Sequence, residues 1–135
     1  MDSIVYQLDL ENVDWVEMKL ILMHDAFDNG RTPEQLQASF EASYGACIAY
    51  ADGQIIGTAR VLSDGVCNAY VVDVWTLSKY RKQGIARRML DLLLEPLQGQ
   101  HVYLFTDDAE EFYIKLGFER RGIGMEKVIG TWLVS

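Results

Sequence analysis

Apolar residues near the start of the chain recur with the period of a helix. Val13, Val16, Leu20, Met23 and Phe27 follow one another at intervals of three and four. This spacing predicts an amphipathic helix whose buried face is that stripe. Asn12, just before the stripe, is a candidate N-cap.

A second helix is predicted directly afterwards. The run Thr32–Pro33–Glu34–Gln35 is a capping box with proline at the first helical position. Leu36 and Phe40 lie four residues apart on its predicted buried side.

Strand-like runs occupy the middle of the chain. One short alternating strand at residues 4–8 precedes the helices, and three runs follow them, at residues 46–50, 55–62 and 67–77. Asp52–Gly53 and Ser63–Asp64–Gly65 separate these three runs and are hairpin signals, so the pattern predicts an antiparallel meander. Asp73 interrupts the apolar third run, which predicts a bulge or a splayed region there.

A basic, glycine-containing turn follows the third run and opens another helix. The positive charges of this basic turn (residues 79–88) are Lys79, Arg81, Lys82, Arg87 and Arg88, with no acid among them. Backbone N–H groups and the helix dipole at such a point suit a phosphate, and Gly84 lets a ligand approach the backbone. On these residues alone, a solvated basic helix start is an equal alternative.

The remaining elements complete a mixed sheet. A strand at residues 101–105 follows the helix, so the crossover predicts a parallel pair with the long third run. Thr106 is the predicted cap of a last helix with Asp107 and Asp108 in its first turn, and Gly117 is its predicted end. Its predicted inward residues are Ala109, Phe112 and Leu116, with Phe118 packing back on the last turn. Residues 119–121 and 125–129 are predicted to be closing strands.

Composition narrows the functional classes. The 135 residues fit one domain, and half of them are hydrophobic. A net charge of −8 argues against nucleic acid as a partner and is compatible with a cationic amine, although it also serves solubility. Cys47 and Cys67 have no metal or redox spacing and are predicted to be reduced and buried, which favours the cytoplasm. Neither a signal peptide nor a membrane-spanning run is evident, and no metal site is expected.

Two motifs stand in the order and spacing of a known family. They are Arg81-x-x-Gly84-x-Ala86 after the long strand, and the run from Ala109 through Phe112–Tyr113 to Gly117–Phe118 after the next strand. Together they resemble the GCN5-related N-acetyltransferase (GNAT) superfamily. The resemblance covers nearly the whole chain and implies one α/β (α+β) domain over residues 1–135. The implied fold has a mixed, mostly antiparallel sheet of 6–7 strands and about four helices, in the order β-α-α-β-β-β-α-β-α-β-β.

The resemblance also implies a site for acetyl-CoA, with an amine as acceptor. Backbone amides of the basic turn, chiefly those of Lys82, Gly84 and Ala86, would hold the pyrophosphate. The backbone of Trp75, Thr76 and Leu77, at the end of the long third run, would pair with the pantetheine arm. The implied cofactor-binding residues are Trp75, Thr76, Leu77, Arg81, Lys82, Gln83, Gly84, Ile85, Ala86, Arg87, Thr106 and Tyr113. Where members of the family often have a proline in the loop and an asparagine opening the last helix, this sequence has Lys79 and Thr106.

Acetyl transfer to an amine needs a donor to the oxyanion and a proton for the leaving thiolate. A free backbone N–H near Leu77 is expected to serve the oxyanion, and Tyr113 the thiolate; packing is the alternative role for Tyr113. Asp73 is the only acid that the long strand offers as a general base, and it could equally be a structural partner of the bulge or an anchor for the amine. Deprotonation through water would require no base at all.

Three functional hypotheses remain. The leading one is an N-acetyltransferase that moves the acetyl group directly to a primary amine of a small molecule or peptide within a ternary complex. The second is a non-catalytic acyl-CoA-binding regulatory module on the same fold, and the third is a nucleotide-binding regulator. Trp132 and the apolar residues 133–134 suggest either a homodimer contact or packing within the chain.

Overall fold

The structure, a computed structural model, describes residues 3–134 and divides into two compact units, one ending at Tyr103 and the other beginning at Leu104. The first unit contains a five-stranded sheet whose strand order follows the chain. Neighbouring strands pair antiparallel except β4 and β5, which are parallel as predicted. The strands are β1 (Ile4–Gln7), β2 (Gly45–Ala51), β3 (Gln54–Ser63), β4 (Asn68–Thr76) and β5 (His101–Tyr103).

Residues 3–134 contain four α-helices, and side chains cap the first two. They are α1 (Trp15–His24), α2 (Pro33–Glu41), α3 (Ile85–Leu94) and α4 (Glu110–Lys115). The capping box at Thr32 and Gln35 is confirmed, with both reciprocal hydrogen bonds formed. The N-cap of α1 is Asp14, which accepts from the Glu17 N–H at 3.0 Å, and the prediction of Asn12 was wrong.

The predicted buried face of α1 is largely its exposed face. Val16, Leu20 and Met23 are exposed, whereas Met18 and Leu22 are buried. The helix is apolar on both sides, so periodicity alone could not select the side that packs on the sheet.

Two apolar clusters lie on the two faces of the sheet. One contains α3, through Ile85, Met89 and Leu93, against small residues of the strands. The other contains α1 and α2, through residues such as Met18 and Phe40, and includes Trp75 of β4. The sheet is therefore covered by helices on both faces.

The bulge predicted at Asp73 is confirmed. The register between β3 and β4 shifts between Thr58, which faces Trp75, and Arg60, which faces Val72. Asp73 adopts a φ of +56°, and its carbonyl accepts a hydrogen bond from the Thr58 hydroxyl at 2.9 Å. A residue left over between two ladder pairs bends the strand locally.

The second unit differs from the prediction in two ways. The helix begins at Glu110, so Glu110 and Glu111 occupy its first turn rather than Asp107 and Asp108. No strand forms in residues 104–134, so the predicted strands at 119–121 and 125–129 are absent and the sheet has five strands rather than 6–7. Gly122 and Gly130 interrupt the apolar alternation there with positive φ, and alternation alone supplies no hydrogen-bonded neighbour.

Other expectations have mixed outcomes. Cys47 is buried as predicted, but Cys67 is exposed in the β3–β4 connection. Within residues 3–134, no helix is long and apolar enough to cross a bilayer, and no three potential ligands cluster as a metal site. That both units form one domain and that residues 132–134 form a dimer contact stay predictions.

Candidate functional site

The basic turn presents backbone N–H groups to solvent. The chain leaves β4 through a short 3-10 turn at Ser78–Tyr80. Lys82 and Gly84 then adopt left-handed conformations, with φ of +62° and +81°. Arg88 donates its N–H to the Gly84 carbonyl at 3.0 Å, which is the first hydrogen bond of the helix. The N–H groups of residues 85–87 therefore have no acceptor within the helix.

Neither a side chain nor an acid occupies this helix start. Gly84 is the N-cap of α3 and supplies no side-chain hydrogen bond, and the first turn holds no acidic residue. Residues 81–84 are exposed, as are Arg87 and Arg88, and a Cβ on Gly84 would meet nothing within 4 Å. The positive end of the helix dipole therefore lies beside exposed basic residues and open space, as an anion requires.

The parallel ladder beside this turn is short. β4 and β5 pair at only three positions, ending with Tyr70 opposite Tyr103, while β4 continues to Thr76. Beyond Tyr70, the ladders of the described residues give β4 a partner in β3 alone. The expected divergence of the two strands is present in this form, and it leaves an edge of β4 to which an extended ligand could add.

The amide expected to be free is not free. Leu77 donates its N–H to the Ile56 carbonyl at 2.8 Å, which continues the ladder towards β3. Because backbone groups alternate sides along a strand, Thr76 directs its N–H and carbonyl to the opposite edge. The candidate donor on the open edge is thus Thr76 rather than Leu77.

Thr76 carries two further signs of a ligand position. Its Oγ1 is buried and is the one such side-chain atom without a hydrogen-bond partner among residues 3–134. Its carbonyl accepts a hydrogen bond from Arg81 Nε at 3.0 Å. A buried hydroxyl that lacks a partner costs free energy, and the Thr76 carbonyl becomes available to a ligand only when Arg81 moves away.

Asp73 lies in a cluster of charges below the bulge. Arg31, 5% exposed, donates through both terminal nitrogens to the Asp73 carboxylate, and Arg60 donates to it through Nε. Arg31 also donates to Ser39 Oγ at 2.8 Å and to the side chain of Asn29 at 2.9 Å. Two guanidinium groups thus occupy both carboxylate oxygens, which supports the structural alternative for Asp73 over a role as base.

Asp25 connects the end of α1 to the start of the basic turn. Its carboxylate accepts from Trp75 Nε1 at 2.9 Å and from the Ser78 N–H and hydroxyl at 3.1 and 2.6 Å. Arg81 Nη2 lies 3.4 Å from the same carboxylate. Burial would raise the pKa of Asp25, but these hydrogen bonds and the Arg81 charge outweigh it and hold the pKa below its usual value.

Tyr113 and Thr106 belong to the second unit. Tyr113 is buried, and its ring packs edge-on against Phe112 and Phe118, with centroids 5.0 and 5.8 Å away. Burial raises the pKa of the Tyr113 phenol. The Thr106 hydroxyl accepts from the Ala109 N–H at 2.9 Å, so it closes the turn before α4 rather than capping the helix itself.

Comparison with known proteins assigns the family. A model of the acetyltransferase (GNAT) domain matches residues 42–120, more than half of the chain. The chain belongs to the GNAT acetyltransferase family. Its matched segment includes the long strand, the basic turn and Tyr113, so both sequence motifs lie within the region that defines the family.

Individual relatives agree with this assignment. Over 70 residues, 49% of this chain, the sequence is 36% identical to histone acetyltransferase TAP1 of Glycine max, of which it covers 30%. The chain spans only about a third of the length of the curated relatives it matches.

Solved structures share the GNAT fold. The GNAT family protein SP0256 of Streptococcus pneumoniae superposes with a TM-score of 0.78 at 24% identity, over 94% of this chain and 98% of that one. Glucosamine-6-phosphate N-acetyltransferase of Arabidopsis thaliana superposes with a TM-score of 0.72 at 17% identity, over 96% and 100%. At these identities the likeness concerns the fold.

Within the first unit of this GNAT chain, the structure brings together several of the predicted site residues. Trp75, Thr76 and Leu77 adjoin the basic turn, and Asp25 links them to it. Asp25, Arg31 and Arg60 were missed because their partners lie far away in the chain; no local spacing marks them. The aspartate at the helix end, Asp25, could be noticed only as an ordinary C-terminal polar residue.

Proposed function

We propose that this GNAT protein is an acetyl-CoA-dependent N-acetyltransferase that acts on a primary amine of a small molecule or peptide. The observation that carries the proposal is the exposed start of α3, where uncapped N–H groups follow the left-handed Lys82 and Gly84. An anion of the size of a diphosphate matches such a start, because several N–H groups converge on it with the helix dipole behind them.

The same residues fit the phosphate end of CoA. The open space at Gly84 allows close approach to the backbone, and the proposed contacts are the amides of Lys82, Gly84 and Ala86. Gln83, Ile85 and Arg87 complete the turn, and Lys82 and Arg87 add charge to backbone recognition. The proposed role of Thr106, a further contact to CoA, rests on the family resemblance alone.

The edge of β4 fits the pantetheine arm. Pantetheine carries amide groups, which can pair with the backbone of an extended strand as an added strand does. Thr76 offers its edge carbonyl to a pantetheine amide, which leaves its edge N–H for the thioester oxygen, and Trp75 and Leu77 on either side hold it against β3. Arg81 must release the Thr76 carbonyl for a ligand amide to take it.

The chemistry needs little from the protein beyond position and two donors. Bound acetyl-CoA supplies a thioester. The neutral amine would attack its carbonyl carbon, and the C–N bond would form as the C–S bond breaks. An edge amide of β4 at Thr76 would donate to the oxyanion. The role of Tyr113 rests on the family resemblance: it would give its phenolic proton to the sulfur, and the proton lost by the amine would return through water to the phenolate. The raised pKa of Tyr113 keeps the phenolic proton available at neutral pH.

The acceptor and the setting follow from charge and thiols. With a net charge of −8, the protein would attract cationic amines or basic peptide ends more readily than anions. Both cysteines are free, which supports a cytoplasmic setting.

A binding measurement followed by an amine screen tests the proposal. Calorimetry should give tighter binding of CoA than of ATP, and the screen with acetyl-CoA should release free thiol with at least one primary amine. Tighter binding of ATP would indicate the nucleotide-binding regulator. CoA binding with no thiol release across small amines, polyamines and peptides would instead support the non-catalytic acyl-CoA-binding module.

A further inference from the structure

Asp25 closes α1 and at the same time organises a segment 50 to 56 residues further along the chain. Its backbone N–H donates to the Ile21 carbonyl as the C-cap of α1. Its carboxylate binds three residues around the exit of β4, which are Trp75, Ser78 and Arg81. We call these four residues the Asp25 cluster.

The contacts of the Asp25 cluster restrain the segment in several directions. The Ser78 N–H and hydroxyl bind separate oxygens of the carboxylate, which holds the start of the 3-10 turn against α1. Trp75, at the end of β4, is 2% exposed, and its indole hydrogen bond to Asp25 holds this residue in place as well. Thr76 and Leu77 lie between these attachment points, so their backbone direction is set from both sides.

Arg81 extends the restraint to the edge of β4. Its Nη2 approaches Asp25 while its Nε donates to the Thr76 carbonyl. The planar guanidinium can make both contacts at once because its donors point in fixed directions. Asp25 therefore also restrains the Arg81 side chain beside this edge.

We propose that Asp25 is a positioning residue for the cofactor site, holding the 75–81 segment in the conformation that receives the pantetheine arm and the diphosphate. This inference rests on the proposed function. Asp25 touches none of the reacting groups; it acts through Ser78, Trp75 and Arg81. Without it, those donors lose a shared charged acceptor and the segment becomes free to adopt other conformations.

The test replaces Asp25 with asparagine and uses Asp28→Asn as a matched control. Asp28 lies three residues further along and is also ion-paired, with Lys19 at 2.6 Å. The contacts described for Asp28 are with Lys19, Arg31 and the Gly30 backbone, none of which lies in the 75–81 segment. Calorimetry with CoA should show a dissociation constant about tenfold higher for Asp25→Asn and one within twofold of the parent for Asp28→Asn.

Kinetic and conservative variants separate positioning from general stability. With a responsive amine, Asp25→Asn should raise KM for acetyl-CoA more than it lowers kcat, at a temperature well below its thermal midpoint. Ser78→Ala, which removes one hydroxyl at an exposed position, should raise the dissociation constant for CoA about threefold. If Asp25→Asn fails to fold, this second variant tests the positioning role of Asp25. The loss of CoA binding free energy in the double variant Arg81→Lys, Asp25→Asn should be smaller than the sum of the two single losses, because both substitutions break the same network.

Two results would overturn the inference. If the parent binds CoA and Asp25→Asn or Ser78→Ala binds it as tightly as the parent does, Asp25 has no positioning role while the proposed function stands. If the parent itself fails to bind CoA, the proposed function and this inference fall together.

Discussion

Arg31 holds the carboxylate of Asp73 through two hydrogen bonds, 2.9 Å to Oδ2 and 3.1 Å to Oδ1, across 42 positions of the sequence. The pair ties the segment before α2 to the bulge of β4. Because both partners are largely excluded from water, losing one would leave a charge that is buried and unpaired.

Asp73→Asn should therefore lower stability rather than abolish chemistry. We expect the free energy of unfolding to fall by about 3–5 kcal/mol, as when one partner of a buried pair is removed. Chemical denaturation measures this, and Asp52→Asn on the exposed β2–β3 hairpin is the control, with little change expected. A fully stable Asp73→Asn protein whose turnover fell by orders of magnitude would instead identify Asp73 as a catalytic base.

Gly84→Ala should weaken cofactor binding beyond its effect on stability. Gly84 and Gly53 have similar φ, +81° and +77°, and a Cβ on either would meet nothing within 4 Å. Both alanine variants should lose about 1–2 kcal/mol from the strain of a left-handed non-glycine residue. Only Gly84→Ala should also lose affinity for CoA in calorimetry, because its methyl group enters the proposed diphosphate position. Equal affinities for the two variants would remove the basic turn from the binding site.

Tyr113→Phe should lower kcat with acetyl-CoA by about 100-fold or more, the effect expected of a lost general acid. CoA affinity and the thermal midpoint should change little, since the ring packing against Phe112 and Phe118 remains. Tyr44→Phe, at an exposed position, is the control. Unchanged turnover in Tyr113→Phe would leave the tyrosine with a packing role alone.

The pH dependence of kcat in the parent protein also reports on the role of Tyr113. Burial raises the pKa of Tyr113 above its ordinary value of 10.0. The alkaline loss of kcat assigned to this group should therefore lie at higher pH than the ionisation of an exposed tyrosine. The raised pKa also means that the neutral phenol contributes to the free energy of unfolding. This contribution is fully present below the unfolded-state pKa and is lost as pH rises through the folded-state pKa.

The two thiols should react at very different rates in the folded protein. Burial raises the pKa of Cys47 to about 12, so neither access nor thiolate is available there. Cys67 is exposed, although its hydrogen bond to Asp64 raises its pKa as well. A maleimide counted by mass spectrometry should add once to the native chain and twice after unfolding, and Cys67→Ser should remove the native addition. Two rapid native additions would contradict the burial of Cys47.

Local chemistry predicted the parts of this fold that depend on neighbours in sequence. The capping box at Thr32, the hairpin at Asp52–Gly53, the bulge at Asp73 and the start of α3 after Gly84 are set by residues a few positions apart. Each was predictable because the required conformation restricts which residues can occupy it.

Features set by distant contacts were not predictable. The periodic pattern of α1 offers two apolar sides, and packing against the sheet selects the side of Met18 and Leu22. Asp25 lies 50 positions from Trp75 and 53 from Ser78, so no spacing indicates that they meet. A free amide was expected near Leu77, but the N–H of Leu77 itself is bonded to Ile56. One residue of register decides which edge of β4 a backbone N–H faces.

The strand order of the sheet also bears on how the protein is made. Since spatial neighbours are successive strands, each strand after β1 leaves the ribosome with a sheet neighbour already synthesised. The longest delay precedes β2, while the two helices after β1 are translated. The nascent chain can therefore complete four strands of the sheet before the glycine turn and α3 emerge. The turn proposed to bind the cofactor then folds against strands that are already paired.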